Sequence, residues 1–294
     1  MGQREPGTIT ALCLSLGYSR QAFYQRQQQQ QNDLYKQEIL LQEIHGIRAI
    51  QKRLGGRKLF YMLADFMQAH AIEMGRDMFF DFLSVNGLLV RRRKRNKPVT
   101  TNSFHRYKMY KNLTLELIPT APNQLWVSDI TYITLENAFA YLSLITDVYS
   151  RKIVGFCLHK TLEAVGSIKA LKMAFKNTGE VSRLIHHSDR GVQYCCNAYV
   201  KLLHKRKVKI SMTEHGDPLE NAIAERVNGI LKDELLEEEY TYYEQAQNAI
   251  AVAISIYNHQ RPHSSIDYLT PGQAYLKAGI LTRKWKNYYQ KERC

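Results

Sequence analysis

The chain has 294 residues, 45% hydrophobic and 23% charged, enough apolar material for one large globular domain or two modest ones. No apolar run is long enough to span a bilayer, the opening MGQREPGTIT lacks the layout of a secretory signal, and five cysteines without metal-ligand or disulfide spacing read as ordinary reduced thiols. Those three readings predict a cytoplasmic protein, and Lys and Arg number 41 against 27 Asp and Glu, so the net charge of +14 points to a polyanionic partner.

In chain order, residues 1–32 form a first segment whose end, QRQQQQQ at 25–31, is low-complexity and reads as a flexible or helical connector. Residues 33–95 read as a helical unit. Leu34, Leu41, Ile44, Ile47 and Ile50 recur at helical spacing before Gly55-Gly56 interrupts the run. RKLFYMLADFMQAH is a second amphipathic segment, and GRDMFFDFLSVNG is a third that closes on Asn-Gly. Three helices followed by a basic strip suit a helix-turn-helix-like DNA-binding unit, although a small bundle with no DNA role gives the same pattern. The strip is RRRKRNK at 91–97, and residues 1–122 hold 19 basic and 9 acidic residues, +10 of the total charge. Arg91, Arg92, Arg93, Lys94, Arg95 and Lys97 are therefore expected to meet phosphates of double-stranded DNA.

A polar linker at 96–122 leads to a change of period. WVSDITYITL (126–135), AYLSLITDV (140–148) and KIVGFCLHK (152–160) read as strands. Residues 162–176 read as a helix, RLIHHS as a strand, 191–205 as a helix, KVKISMT (207–213) as a strand, and 219–237 and 242–258 as helices. The order β-β-β-α-β-α-β-α-α predicts an α/β domain over 123–280, a mixed sheet covered by helices, with a tail at 281–294.

Two carboxylates lie on or beside strands. Asp129 sits within the first, and Asp189 ends the fourth in HHSDRG. A third acid is available from LENAIAERVNGILKDELL, which offers Glu220, Glu225, Asp233 and Glu234. At about 100° per residue, Asn221, Ala222, Asn228, Gly229 and Lys232 fall within about 60° of Glu225. Ile223, Val227, Ile230 and Leu231 fall opposite, as the stripe expected to pack on the sheet. Glu220 and Glu234 lie at the helix ends or toward the stripe. A lone glutamate on a polar face is more often simply solvated, so this geometry nominates Glu225 without assigning it a role. Three converging acids would repel one another without cations among them, and hard oxygen donors suit Mg²⁺ or Mn²⁺. Two such ions would serve phosphoryl transfer.

WVSDITYI, HHSDRGVQY and NAIAERVNGILKDEL together resemble the catalytic signature of the DDE transposases and retroviral integrases. Thirty-five residues separate Asp189 from Glu225, the spacing of that superfamily, and Lys232 matches its basic residue seven positions after the glutamate. YNHQRPHSSIDYLTP (257–271) resembles the end of the catalytic region in the insertion-sequence-three family of bacterial transposases, and GRDMFFDFLSVNGLLVRRRKR its upstream helical segment. The resemblance spans nearly the whole chain. It implies a ribonuclease-H-like fold, with Asp129, Asp189 and Glu225 as the metal-binding catalytic triad and Lys232 as a DNA contact near the cleaved phosphate. It implies cleavage at the ends of an insertion sequence and transfer of the exposed 3′-hydroxyl to target DNA by a nucleoid-associated enzyme. It further implies a second-reading-frame product that acts as a homo-oligomer on terminal inverted repeats, joined to a first-frame product by frameshifting. Trp126 is expected to pack beneath the first strand, and Asp147 to be a strand-end residue. His186 and His187 are expected to be packed or surface histidines, with orienting Asp189 or touching a phosphate as the alternative, and Gln193 and Tyr194 to open a helix, with a DNA contact of Tyr194 as the alternative. The rival readings are another nuclease of the same fold, or a DNA-binding repressor or architectural factor with an inactive domain.

Overall fold

A computed structural model describes residues 9–91, 106–115, 117–179, 181, 183–214 and 221–282. Backbone contacts group these into two compact units. One contains the described residues up to Ile50 together with Met62–Leu88. The other contains Gln51–Tyr61 and the described residues from Leu89 onward.

The first unit is helical. Helix α1 (Ile9–Ser15) precedes α2 (Arg20–Ile50), which takes in the whole glutamine run. Gln, Arg, Lys, Glu and Leu are all good helix formers and no proline intervenes, so the connector is helical rather than flexible. The buried face of α2 is Leu40 and Ile44, while Leu34 and Ile50, placed by their spacing on that face, are exposed. The second predicted helix is two, parted at Leu63: α3 (Gly56–Met62), which up to Tyr61 belongs to the second unit, and α4 (Ala64–Ala69) of the first. Helix α5 (Arg76–Val85) ends as the Asn-Gly pair predicts. Gly87 adopts φ +66°, Leu88 N–H donates to the Leu83 carbonyl at 2.7 Å, and Gly87 N–H to Ser84 at 3.0 Å, a Schellman closure that only glycine makes without strain.

The second unit holds a five-stranded sheet. Strand β1 (Leu125–Leu135) pairs antiparallel with β2 (Ala138–Asp147), which pairs antiparallel with β3 (Ile153–His159). Helix α6 (Ala164–Thr178) crosses back to β4 (Ile185–Ser188), parallel to β1. Helices α7 (Val192–Cys195) and α8 (Asn197–Lys205) lead to β5 (Lys209–Met212), parallel to β4. Helix α9 (Ala222–Ile230) runs into a π-helical turn (Leu231–Leu235), followed by α10 (Tyr243–His259), a 3₁₀ turn (Ser264–Ile266) and α11 (Pro271–Ala274). The sheet order β3-β2-β1-β4-β5, with a three-stranded antiparallel meander and two parallel strands beyond it, is the ribonuclease-H-like arrangement.

Helices cover both faces of the sheet. On one, Ala140, Leu142 and Leu144 of β2 and Ile133 of β1 form a core with Val227, Ile230 and Leu231 and with Ile250, Ala253 and Tyr257 of α10. On the other, Trp126, Ile145 and Val154 pack against Ala170, Leu171, Ala174 and Phe175 of α6 and Tyr199 and Leu203 of α8. Alternation along the strands sorts side chains between these cores. The two outer strands are β3 and β5. On β3, Asn258 acts as a short stand-in neighbour. Its Oδ1 accepts from Ile153 N–H and its Nδ2 donates to the Ile153 carbonyl, both at 3.0 Å.

Candidate active site

The parallel register of β1 and β4 brings the first two acids together. Leu125, Trp126 and Val127 pair with Ile185, His186 and His187, and two further steps at the same offset set Asp129 beside Asp189. Adjacent strands lie about 4.8 Å apart, so the two carboxylates are neighbours, Asp129 within β1 and Asp189 just past the end of β4. Asp189 follows the last residue of β4, and Gly191 N–H donates to its Oδ1 at 3.0 Å. A Cβ on residue 191 would stand 3.0 Å from that oxygen and 3.0 Å from Gln193 Oε1. The Asp-Arg-Gly sequence is therefore a turn wrapped around a carboxylate.

Helix α9 runs along β1 in the same direction. Asn221 Nδ2 donates to the Ser128 carbonyl at 3.1 Å, Asn228 Nδ2 to Asp129 Oδ2 at 2.7 Å, and Lys232 Nζ to the Tyr132 carbonyl at 3.0 Å and Thr131 Oγ1 at 3.4 Å. Residues 221, 225, 228 and 232 form one helical stripe. Glu225 lies on that stripe between the two anchoring asparagines, and its side chain is exposed. The apolar stripe opposite, Val227, Ile230 and Leu231, is buried on the sheet as its spacing predicts. Asn228 and Gly229 are buried too, so this part of the polar face packs against neighbouring residues rather than facing solvent.

Electrostatics single out Asp129. Burial raises its carboxyl first, and the charges of Asp189 and then Glu225 raise it further, while Ile130 N–H (2.9 Å) and Asn228 pull it down. The balance leaves it at about 7. Among the described residues, no three His, Cys, Asp or Glu side chains are gathered tightly enough to form a finished metal-binding group. The donor chemistry nevertheless fits a hard divalent cation. Two neighbouring carboxylates, one within β1 and one just past the end of β4, repel each other, and an added positive charge would relieve them.

Residues around the acids are structural. Trp126 is fully buried against Phe175 and donates Nε1–H to Asn123 at 3.0 Å. Asp147 closes the β2 turn, accepting from Ser150 N–H at 2.8 Å, Ser150 Oγ at 2.6 Å and Asn123 N–H at 2.7 Å. His186 Nε2 meets Ser128 Oγ at 2.7 Å and Tyr199 OH at 2.9 Å. Burial, reinforced by His187, pushes its pKa down to about 3 and keeps it neutral. His187 Nδ1 meets Ser211 Oγ at 2.8 Å. Gln193 ties α7 to the Leu162 carbonyl at 2.8 Å, and Tyr194 is buried. Arg91 is exposed, whereas Arg92, Arg93, Lys94, Arg95 and Lys97 lie outside the described residues.

Sequence reasoning missed the work of the YNHQRPH segment. Tyr257 OH donates to the Arg151 carbonyl at 3.0 Å, Asn258 caps β3, and Arg261 grips Glu234 through two hydrogen bonds at 2.8 and 2.9 Å. The resemblance marks this segment as the end of the catalytic region, but neither it nor the local run of polar residues identifies partners 27 to 106 residues away.

Residues 119–218 and 206–271 match two families, both described as integrase core domain. The chain is 34% identical over 265 residues, 88% of this chain and 96% of the relative, to the uncharacterized 31 kDa protein of insertion element IS600 from Shigella sonnei. It is 28% identical to the transposase for insertion sequence element IS629 of Shigella sonnei, covering 92% of each chain. It is 26% identical to transposase InsF for insertion sequence IS3fB of Escherichia coli K12, over 90% of this chain and 93% of that one. A solved structure of the HTLV-2 integrase catalytic core domain in complex with magnesium aligns with a TM-score of 0.44 and 20% identity, over 54% of this chain and 99% of that one. Among the described residues, no helix is long and apolar enough to cross a membrane.

Proposed function

The chain belongs to the insertion-sequence-three family of DDE transposases, polynucleotidyl transferases that act on DNA, and from that premise we propose that Asp129, Asp189 and Glu225 are its catalytic acids. One observation carries the assignment. The β1–β4 pairing runs to Val127 and His187, two residues short of Asp129 and Asp189, the Asp189 charge acts on Asp129, and α9 is bonded to Ser128 and Asp129 on either side of the position that presents Glu225. The three carboxylates would hold Mg²⁺ or Mn²⁺, two ions in the active complex. Such ions supply Lewis-acid activation of an oxygen nucleophile and neutralise charge on the scissile phosphate. Asn228 fixes the rotamer of Asp129 by bonding Oδ2, and the Gly191 amide does the same for Asp189. The Lys232 ammonium, on the same stripe, would meet a phosphate of the bound strand.

The reaction we propose is hydrolysis at the element's terminal inverted repeat to leave a 3′-hydroxyl, followed by attack of that hydroxyl on a second phosphodiester. Residues 123–280 are the catalytic core in this reading. The helical segment 33–95 and the strip Arg91–Lys97 bind the duplex, residues 96–122 link the two, and residues 1–32 and 281–294 flank them. The active species is a homo-oligomer on paired DNA ends, completed by fusion to a first-frame product.

Asp189→Asn and Glu225→Gln test the assignment in the purified full chain. Each is expected to abolish Mg²⁺-dependent nicking of a duplex carrying the terminal repeat that flanks the gene, while DNA affinity stays within a few-fold. Full nicking activity in either variant would remove the acid from the site. Metal-independent binding with no nicking in the unmutated chain would favour the repressor reading instead.

A further inference from the structure

Directly after the helix that carries Glu225, the chain leaves α-helical geometry. Leu236 N–H donates to the Leu231 carbonyl at 2.8 Å, an i to i+5 bond, and Leu231–Leu235 form a π-helical turn. The π-turn ends this helix rather than interrupting it, and π-helical turns are rare and frequent at functional sites. Here side chains hold it from two directions. Lys232 points at β1, its Nζ on the Tyr132 carbonyl and 3.6 Å from the Tyr132 ring centroid. Glu234 points into an ion cluster. Arg261 binds it in a two-pronged contact (Nε to Oε2 at 2.8 Å, Nη2 to Oε1 at 2.9 Å), and Lys58 Nζ lies 3.0 and 3.3 Å from its two oxygens.

The cluster is nearly dry. The side chains of Arg261, Glu234 and Lys58 are 1%, 16% and 17% exposed. Burying such a group confers little net stability, since apolar residues of similar volume commonly do as well or better. What a forked guanidinium–carboxylate contact adds is direction, because it is satisfied in one geometry only. The element it directs is the turn that follows the α9 stripe. If that turn relaxed to α-helical pitch, Glu234 and Lys232 could not both keep their partners, and the stripe that presses Asn228 onto Asp129 would lose its far anchor.

We propose that Arg261 and Lys58 are positioning residues for the acidic site, acting through Glu234 to fix the π-turn, and through it Lys232 and the α9 stripe, against β1. This rests on the assignment of Asp129, Asp189 and Glu225 made above.

The test uses the full chain and the terminal-repeat duplex, comparing Glu234→Gln, Arg261→Lys and Lys58→Met with Asp189→Asn. Nicking is measured against DNA and Mg²⁺ concentration, DNA binding by anisotropy, and folded fraction by thermal melting. Glu234→Gln and Arg261→Lys are expected to lower kcat per folded molecule at least tenfold and to raise the Mg²⁺ activation midpoint several-fold, with KM for DNA within about threefold. Lys58→Met should show the same pattern at smaller amplitude. Arg261→Lys is informative because it keeps the charge and loses the fork. The inference is overturned if the variants lose activity only in proportion to their folded fraction, with kcat and the Mg²⁺ midpoint otherwise unchanged. Should Arg261→Lys fail to fold, Glu234→Gln and Lys58→Met decide by the same criteria. A nicking-active Asp189→Asn sinks the triad and the inference with it, whereas a dead Asp189→Asn beside fully active cluster variants sinks the inference alone.

Discussion

Asp129 is held at the edge of what a carboxylate tolerates. Burial and the Asp189 charge disfavour its ionised form, raising its pKa to about 7, and its two oxygens are bonded by Ile130 N–H and Asn228. A buried charge without a cation costs stability, and a group that binds only the folded state returns it by mass action. The metal-free chain is therefore expected to melt higher as Asp129→Asn than unmutated. Added Mg²⁺ should raise the melting temperature of the unmutated chain by several degrees and that of Asp129→Asn by much less. Equal Mg²⁺ shifts in the two proteins, measured by differential scanning calorimetry in chelator and then in millimolar Mg²⁺, would mean that Asp129 holds no metal. The polar face around Glu225 was legible from helical spacing, because a stripe at residues 221, 225, 228 and 232 follows from pitch alone. That Asn228 would turn to Asp129 rather than to water was not, because nothing local to α9 says what lies across from it.

Among the elements, strands read more clearly than helix ends. WVSDITYITL reads as a strand and β1 runs over Leu125–Leu135, but its first four residues are all buried, because both faces of the sheet are covered there. The π-turn was hidden inside an ordinary helical pattern, since it is imposed by Arg261 and Lys58 from 27 and 176 residues away. Close packing was equally hidden. A Cβ on Gly155 of β3 would come within 2.9 Å of Ala174 Cβ, so α6 lies flush on the strand at a glycine that the sequence offers without comment. The ion cluster gives this scale a pH signature. Burial and then Arg261 lower the Lys58 ammonium from 10.5 to about 8, outweighing the pull of Glu234. Burial would raise the Glu234 carboxyl, but Arg261 and Lys58 win and hold it below its ordinary value. From about pH 8 to 10.5 the unfolded chain therefore binds more protons at Lys58 than the folded one, and that group's contribution to stability rises with pH. Glu234 contributes in the opposite region: its stabilisation is complete above its unfolded pKa and lost as pH falls through the folded one. Lys58→Met is expected to remove the alkaline gain in a melting-temperature profile, and Glu234→Gln to flatten the acid loss. Profiles parallel to the unmutated chain in both variants would contradict the cluster.

For the whole molecule, charge is the property that composition already announced. The excess is concentrated ahead of the catalytic core, with +10 in residues 1–122 against +4 in 123–294, and it peaks in six cations between Arg91 and Lys97. Part of the remaining positive charge is engaged internally: Arg261 of the core and Lys58 ahead of it on Glu234, and Lys152 over the Tyr275 ring at 4.1 Å. Duplex affinity should then depend mainly on the strip, and its dependence should be electrostatic. Each phosphate neutralised releases counterions and adds about −0.9 to the slope of log K against log salt. If all six cations of the strip meet phosphates, binding is expected to weaken about 10³-fold between 50 and 200 mM salt. Replacing Arg91, Arg92, Arg93 and Arg95 together with alanine should shallow the slope by up to about 4, leave melting temperature unchanged, and affect unrelated duplexes as much as terminal-repeat duplex, because phosphate contacts carry no sequence. Anisotropy titrations over a salt series measure all of this in one experiment. A slope unchanged by the fourfold substitution would move the DNA-binding surface away from the strip, to cations that the sequence does not cluster and that only a protein–DNA structure would gather.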